Sequence, residues 1–262
     1  MTALLAVAIA GRGLVDPGEP VFHADDDALL RGGAAFETVR VYAGRPFLLA
    51  DHLTRFRFSA AALALPEPDG VEDLVDLVLG AAPPDHVLRL YRTSQAVVAT
   101  AAPLPAGLDD LRAHGVGLMT FDVGRPTSLL AGAKTTSYDV SFAARREAEH
   151  AGADDALLVA GGRVLEGATA NVWWRRGESL FTPAVRPGVL PGVTRAFVLS
   201  VGPAREGEFD LADLLGAEEA FLTSSIREVM PVVAVDGETI GDGRPGPAAA
   251  RLQHALRLRS AS

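Results

Sequence analysis

The chain has 262 residues, 48% of them apolar and 22% charged, which is near the upper limit for one hydrophobic core and ample for a buried interior. A net charge of -9, with no basic patch interleaved with aromatics, weighs against nucleic-acid binding. With no cysteine there are no disulfides, no thiol catalysis and no thiolate metal sites, as expected of a cytoplasmic protein.

The apolar opening from Met1 to Ala10 lacks a positive n-region and stops at Gly11-Arg12-Gly13. It is too short to span a bilayer and reads as a first strand. Ala34 to Tyr42 alternates as a strand, Ala43-Gly44-Arg45-Pro46 is a hairpin turn, and Ala50 to Ala64 is helical up to the stop at Pro66. A second helix covers Val71 to Leu79, and Val87 to Thr100 reads as one or two strands. Ala101 to Gly107, with two prolines, is the expected hinge between a smaller domain, 1–105, and a larger one, 106–262. Beyond it come a strand at Val116 to Val123, a helix at Tyr138 to His150, and three or four short strands between Ala156 and Thr182. A helix near Val193, strands at Ala220 to Thr223 and Val229 to Val235, and a helix from Pro247 complete an α+β pattern in both halves.

No two of the six histidines (His23, His52, His86, His114, His150 and His254) lie within four residues of each other, so no local metal motif is present. The G-x-S-x-G, P-loop and G-x-G-x-x-G signatures are also missing. Among 24 basic residues a single one, Lys134, is lysine. Arginine can replace lysine wherever only charge is needed, but its guanidinium never becomes a neutral amine. Imine formation or proton shuttling by a desolvated amine is the work that requires a lysine.

Lys134 sits in Gly132-Ala133-Lys134-Thr135-Thr136-Ser137-Tyr138, a small-residue segment that lets a cofactor ring approach, with Tyr138 placed either to reach that ring or to anchor the helix start. Glu166, in Leu165-Glu166-Gly167-Ala168-Thr169-Ala170-Asn171, is either a turn acid or the partner of a pyridine nitrogen. Val193 and Thr194 after Gly192, and Ser224 and Ser225 after Thr223, cap helices or turns, or offer N–H groups and hydroxyls to a phosphate. Arg55, in His52-Leu53-Thr54-Arg55, is a surface arginine on an amphipathic helix or a charge for that phosphate.

In this order the pieces resemble the class IV (fold type IV) pyridoxal 5'-phosphate (PLP) enzymes, which include branched-chain and D-amino acid aminotransferases and 4-amino-4-deoxychorismate lyases. The resemblance rests on F-E-T-x-R at Phe36 to Arg40, the H-L-x-R helix, the lysine, and L-E-G-x-x-x-N. It continues in Thr182-Pro183, in L-x-G-x-T-R at Leu190 to Arg195, and in Thr223-Ser224-Ser225 followed by Glu228-Val229-Met230-Pro231-Val232. It implies a homodimer of two-domain α+β subunits, with PLP at the domain interface and the PLP lysine in the larger C-terminal domain.

It also implies that Lys134 binds the cofactor aldehyde and moves the substrate proton, and that Glu166 faces the pyridine nitrogen. Tyr138 would hydrogen-bond the ring hydroxyl, and Arg55, Val193, Thr194, Ser224 and Ser225 would hold the phosphate. Thr38 matches the threonine that lyases place near the leaving group, which favours a lyase forming 4-aminobenzoate and pyruvate over an aminotransferase. The substrate, a small amine bearing a carboxylate, would meet an arginine, with Arg31, Arg40 and Arg92 as the expected candidates and Arg89 nearby.

Overall fold

The computed structural model describes residues 3–124, 126 and 129–261, and the chain divides into two compact units. The first comprises 1–105 together with 133–138, and the second 106–132 together with 139–262.

In the first unit a hairpin of β1 (Ala6–Ile9) and β2 (Gly13–Val15) precedes α1 (Asp27–Arg31). Met1 and Thr2 of the expected opening strand lie outside the described residues. Next come β3 (Ala35–Tyr42), β4 (Arg45–Pro46), α2 (Leu49–Ala62), α3 (Val71–Ala81), β5 (His86–Arg92) and β6 (Val97–Ala102). The β3–β4 turn is made by Ala43 and Gly44, both at positive φ (46° and 79°), as two-residue hairpins require. The six strands lie in the order β2-β1-β6-β5-β3-β4, with every pair antiparallel.

The period of two along each strand divides this sheet chemically. One face sends Val39, Val41, Leu88, Leu90 and Ala99 against Leu53 and Phe56 of α2 and Leu74 and Val78 of α3, forming the core. The alternate residues fall on the face turned away from those helices. There Phe36 pairs with Tyr91 and Thr38 with Arg89, while Arg89 is matched on its other side by Thr100 of β6.

The segment 133–138 belongs to this unit, although the sequence suggested that the larger C-terminal domain carries Lys134. Backbone pairing explains the difference. Phe36 N–H donates to Lys134 O (3.1 Å), Thr136 N–H donates to Ala34 O (2.9 Å), and Ala35 bridges Thr135 in antiparallel sense. The lysine segment is thus a short extra edge on the start of β3.

The second unit contains α4 (Leu108–His114), β7 (Val116–Asp122), α5 (Asp139–His150), β8 (Asp155–Ala160), β9 (Arg163–Gly167), β10 (Asn171–Arg176) and β11 (Ser179–Pro183). It continues with α6 (Val193–Val201), β12 (Ala204–Gly207), α7 (Leu211–Leu215), β13 (Glu219–Ser224), β14 (Glu228–Val235), β15 (Glu238–Thr239) and α8 (Pro247–Ala261). Its mixed sheet runs β12-β11-β10-β13-β14-β7-β8-β9, with β15 on β14. Leu118, Leu157, Val172, Trp174, Leu222 and Met230 fill its core. No helix among the described residues is long and apolar enough to cross a membrane, and no group of three or more His, Cys, Asp or Glu could hold a metal.

Candidate active site

Lys134 is half-buried, and both ends of its side chain are specified. At the tip, Nζ donates to Tyr138 Oη at 2.7 Å and lies 4.3 Å from the centre of the Phe36 ring. Tyr138 stands edge-on to the same ring (centroids 5.3 Å apart, planes at 74°), and Phe36 in turn stacks on Tyr91. At the root, Lys134 N–H donates to Ser59 Oγ at 2.9 Å and Lys134 O accepts from Phe36. The amine is therefore aimed at an aromatic floor from a doubly held backbone.

Thr38 lies on that floor one row further on, roughly 7 Å along β3 from Phe36, directly opposite Arg89. Arg89 is half-buried. Burial pushes the neighbouring Tyr91 hydroxyl up, and the charge of Arg89 opposes that shift in part. Arg40 follows Thr38 on the same face, 8% exposed, with its guanidinium carbon 5.0 Å from the Tyr42 ring centre.

The other two candidate arginines stand elsewhere. Arg92 has the opposite parity on β5, so it turns to the helix-covered face, where Nε donates to Pro66 O at 2.7 Å. Arg31 is exposed and ion-paired with Asp27 within α1. Neither contacts Lys134, and strand parity puts Arg89, rather than Arg92, on the face of β5 that carries Tyr91.

Arg55 emerges from α2 into the sheet and makes a bidentate ion pair with Glu37, Nε to Oε1 at 2.7 Å and Nη2 to Oε2 at 2.8 Å. His52 Nδ1 lies 2.7 Å from the same Oε2. An ionised carboxylate can only accept, so this ring nitrogen carries the proton. Glu37 is fully buried. Burial by itself would push its carboxyl up, but the Arg55 hydrogen bonds and then His52 outweigh it and hold the group down to about 2.

In the second unit Glu166 is held by a closed triangle of hydrogen bonds. Leu190 N–H donates to its Oε2 at 2.9 Å, Asn171 Nδ2 donates to the same oxygen at 3.0 Å, and Asn171 Nδ2 also donates to Leu190 O at 2.9 Å. Two residues on, Gly192 is the N-cap of α6, with no side-chain cap, so the first N–H groups of the helix, at Val193 and Thr194, are not answered by a capping side chain. A Cβ at Gly192 would lie 2.0 Å from Asn171 Oδ1, so any larger residue there must push the Asn171 amide aside. Ser224 closes β13, with its Oγ accepting Arg227 N–H at 3.3 Å, and Ser225 opens the following turn. Glu228, beyond that turn, is fully buried at φ 58° and is held by Arg112, Arg257 and Gln253.

Several of these residues carried no role in the sequence reading. Glu37 and His52 stood inside the F-E-T and H-L-x-R motifs, and Asn171 closed L-E-G-x-x-x-N, but an ion pair across a strand and a helix leaves no local spacing to find. Ser59 carried no signal at all.

A family model described as amino-transferase class IV matches residues 34–235. The chain is 32% identical to the bifunctional aminodeoxychorismate lyase / D-amino acid transaminase of Mycobacterium tuberculosis, over 87% of this chain and 90% of that protein. It is 30% identical to the D-alanine aminotransferase of Bacillus licheniformis, over 97% of this chain and 96% of that one. A solved PLP-bound structure of a hypothetical aminotransferase from Mycobacterium tuberculosis is similar with a TM-score of 0.87 at 29% identity, covering 97% of this chain and 98% of the other. The chain belongs to the class IV aminotransferase family of PLP-dependent enzymes with the fold type IV architecture.

Proposed function

We propose that the chain is a PLP-dependent 4-amino-4-deoxychorismate lyase that forms 4-aminobenzoate and pyruvate, a reaction of folate biosynthesis. The residues suit the cofactor. An amine beside a tyrosine hydroxyl answers an aldehyde next to a ring hydroxyl, and an oriented carboxylate, Glu166, answers a pyridine nitrogen. Arg55, the uncapped start of α6 at Val193 and Thr194, and Ser224 with Ser225 are donors of the kind a phosphate takes. PLP, when bound, supplies the electron sink.

The observation that carries the lyase reading is the pairing of Thr38 with Arg89, one row from the Phe36 ring that lies under Lys134 Nζ. Lys134 takes the proton from the amino-bearing ring carbon, Thr38 delivers a proton to the departing enolpyruvate, and Arg89, with Arg40 beside it, holds a substrate carboxylate. The second reading is transamination of a D-amino or branched-chain amino acid with a 2-oxo acid, supported by the 30% identity to a D-alanine aminotransferase along almost the whole chain. We place the chain in a homodimer. Leu29 and Leu30 of α1 (61% and 58% exposed) and Phe142 of α5 (62% exposed) are apolar groups that a second copy would cover.

The test supplies aminodeoxychorismate without any 2-oxo acid, and separately assays amino transfer from D-alanine to 2-oxoglutarate. The lyase reading expects pyruvate and 4-aminobenzoate in the first assay, and a loss of ~10²-fold confined to that assay in Thr38→Val, a typical worth for one positioned proton donor. Transamination by the parent protein in the second assay, with neither 4-aminobenzoate nor pyruvate formed from aminodeoxychorismate in the first, would replace this reading with the second.

A further inference from the structure

We propose that Ser59 is a positioning residue for Lys134, tying the backbone of the reactive amine to the helix turn that carries Arg55. This rests on the reading of Lys134 as the PLP lysine.

Ser59 lies on α2 and is fully buried. Its hydroxyl is used twice, donating to Arg55 O at 2.8 Å and accepting Lys134 N–H at 2.9 Å. The first bond is the ordinary back-bonding of a helical serine to the carbonyl four residues earlier. The second reaches across 75 positions of sequence to the residue read as the PLP lysine.

The grip is two-sided. Ser59 holds the N–H of Lys134, while the N–H of Phe36 holds its carbonyl and the Phe36 ring underlies its Nζ. A lysine stem has four rotatable carbons, so its tip is placed only as well as its root is fixed. The same turn of α2 presents the Arg55 side chain, locked by Glu37, and the Ser59 hydroxyl. One helical turn thereby sets the amine in register with a proposed phosphate ligand.

A purely structural role is distinguishable from this one. Loss of the hydroxyl leaves a backbone N–H without its acceptor, yet alanine is the better helix former, and the bonds from Phe36 N–H to Lys134 O and from Thr136 N–H to Ala34 O remain. The change therefore falls on where the amine sits more than on whether the unit folds.

The experiment compares the parent, Ser59→Ala, Ser59→Thr and Lys134→Arg. It reads thermal midpoint, affinity of the apoprotein for added PLP by fluorescence, the pH midpoint of the bound-cofactor absorbance, and kcat against KM. Ser59→Ala is expected to fold and to retain PLP within a few-fold. The pH midpoint of its absorbance should shift, and kcat should fall about tenfold at nearly constant KM, close to the worth of one hydrogen bond to a backbone group. Ser59→Thr keeps the hydroxyl and should restore both. If the extra methyl disrupts the buried site, Ser59→Cys, a weaker acceptor, should fall between alanine and the parent. A parent-like titration and kcat in Ser59→Ala, or a change in thermal midpoint alone, overturns the proposal while leaving the function intact. If the parent shows no absorbance band that Lys134→Arg removes, the reading of Lys134 fails and the proposal fails with it.

Discussion

The buried Glu37 carboxylate should dominate the acid stability of the first unit. Its carboxyl is held at about 2 in the fold against an ordinary value of 4.5. The unfolded chain therefore binds this proton first as pH falls, and the stabilisation is complete above 4.5 and drains away between 4.5 and 2. At 1.36 kcal/mol per unit, the difference is about 3 kcal/mol. In Glu37→Gln the shape is kept but the charge opposite Arg55, itself only 9% exposed, is lost, so stability at neutral pH should fall by about 3–5 kcal/mol, as when one partner of a buried pair is removed.

The assay is urea unfolding at a series of pH values, and the chain provides separate reporters. Its three tyrosines, Tyr42, Tyr91 and Tyr138, lie in the first unit, and its two tryptophans, Trp173 and Trp174, in the second. Tyrosine absorbance should show the gap between parent and variant narrowing from pH 4.5 downward, while the tryptophan-monitored transition of the variant follows the parent. A gap that stays constant from pH 6 to 3, or is absent at pH 7, would refute the argument.

Lys134→Arg should leave both unfolding transitions near their parental positions and lower kcat by ~10³ or more, because a guanidinium can form no imine. Residual turnover above that level would remove Lys134 from the chemistry. Gly192→Ala should weaken PLP binding by roughly tenfold, about 1.4 kcal/mol, because the new methyl displaces the Asn171 amide and with it the Glu166 carboxylate. In the double variant Gly192→Ala, Asn171→Ala part of that loss should return, since the clashing oxygen is gone; strictly additive losses, measured by PLP titration, would show that the two residues are not coupled.

The long elements were legible because their hydrophobic patterns repeat often enough to be read. The strand expected at Ala34 to Tyr42 is Ala35–Tyr42, and the helix expected near Val193 begins there. The short helices α1, α4 and α7, of five to seven residues, were not legible because one or two turns show no period. Within the site, residue types were visible and their directions were not. Arg92 and Arg89 look equivalent in sequence, and only strand parity separates them. The unit that holds Lys134 is decided by backbone hydrogen bonds to β3, which no side-chain pattern announces.

The return of 133–138 to the first unit has a meaning for how such a chain can be cut and recombined. A piece ending at 105 would own the sheet, Thr38 and Arg55, yet lack Lys134, the proposed PLP lysine. Swapping everything after 105 between relatives would bring a donor's lysine to a foreign strand edge. That edge offers mostly main-chain groups, the carbonyl of Ala34 and the N–H of Phe36, which any sequence supplies. The one side chain that a recipient must provide to receive the lysine's own N–H is the hydroxyl at position 59. In such an exchange the recipient's residue 59 is the side chain on which the backbone hold of Lys134 depends.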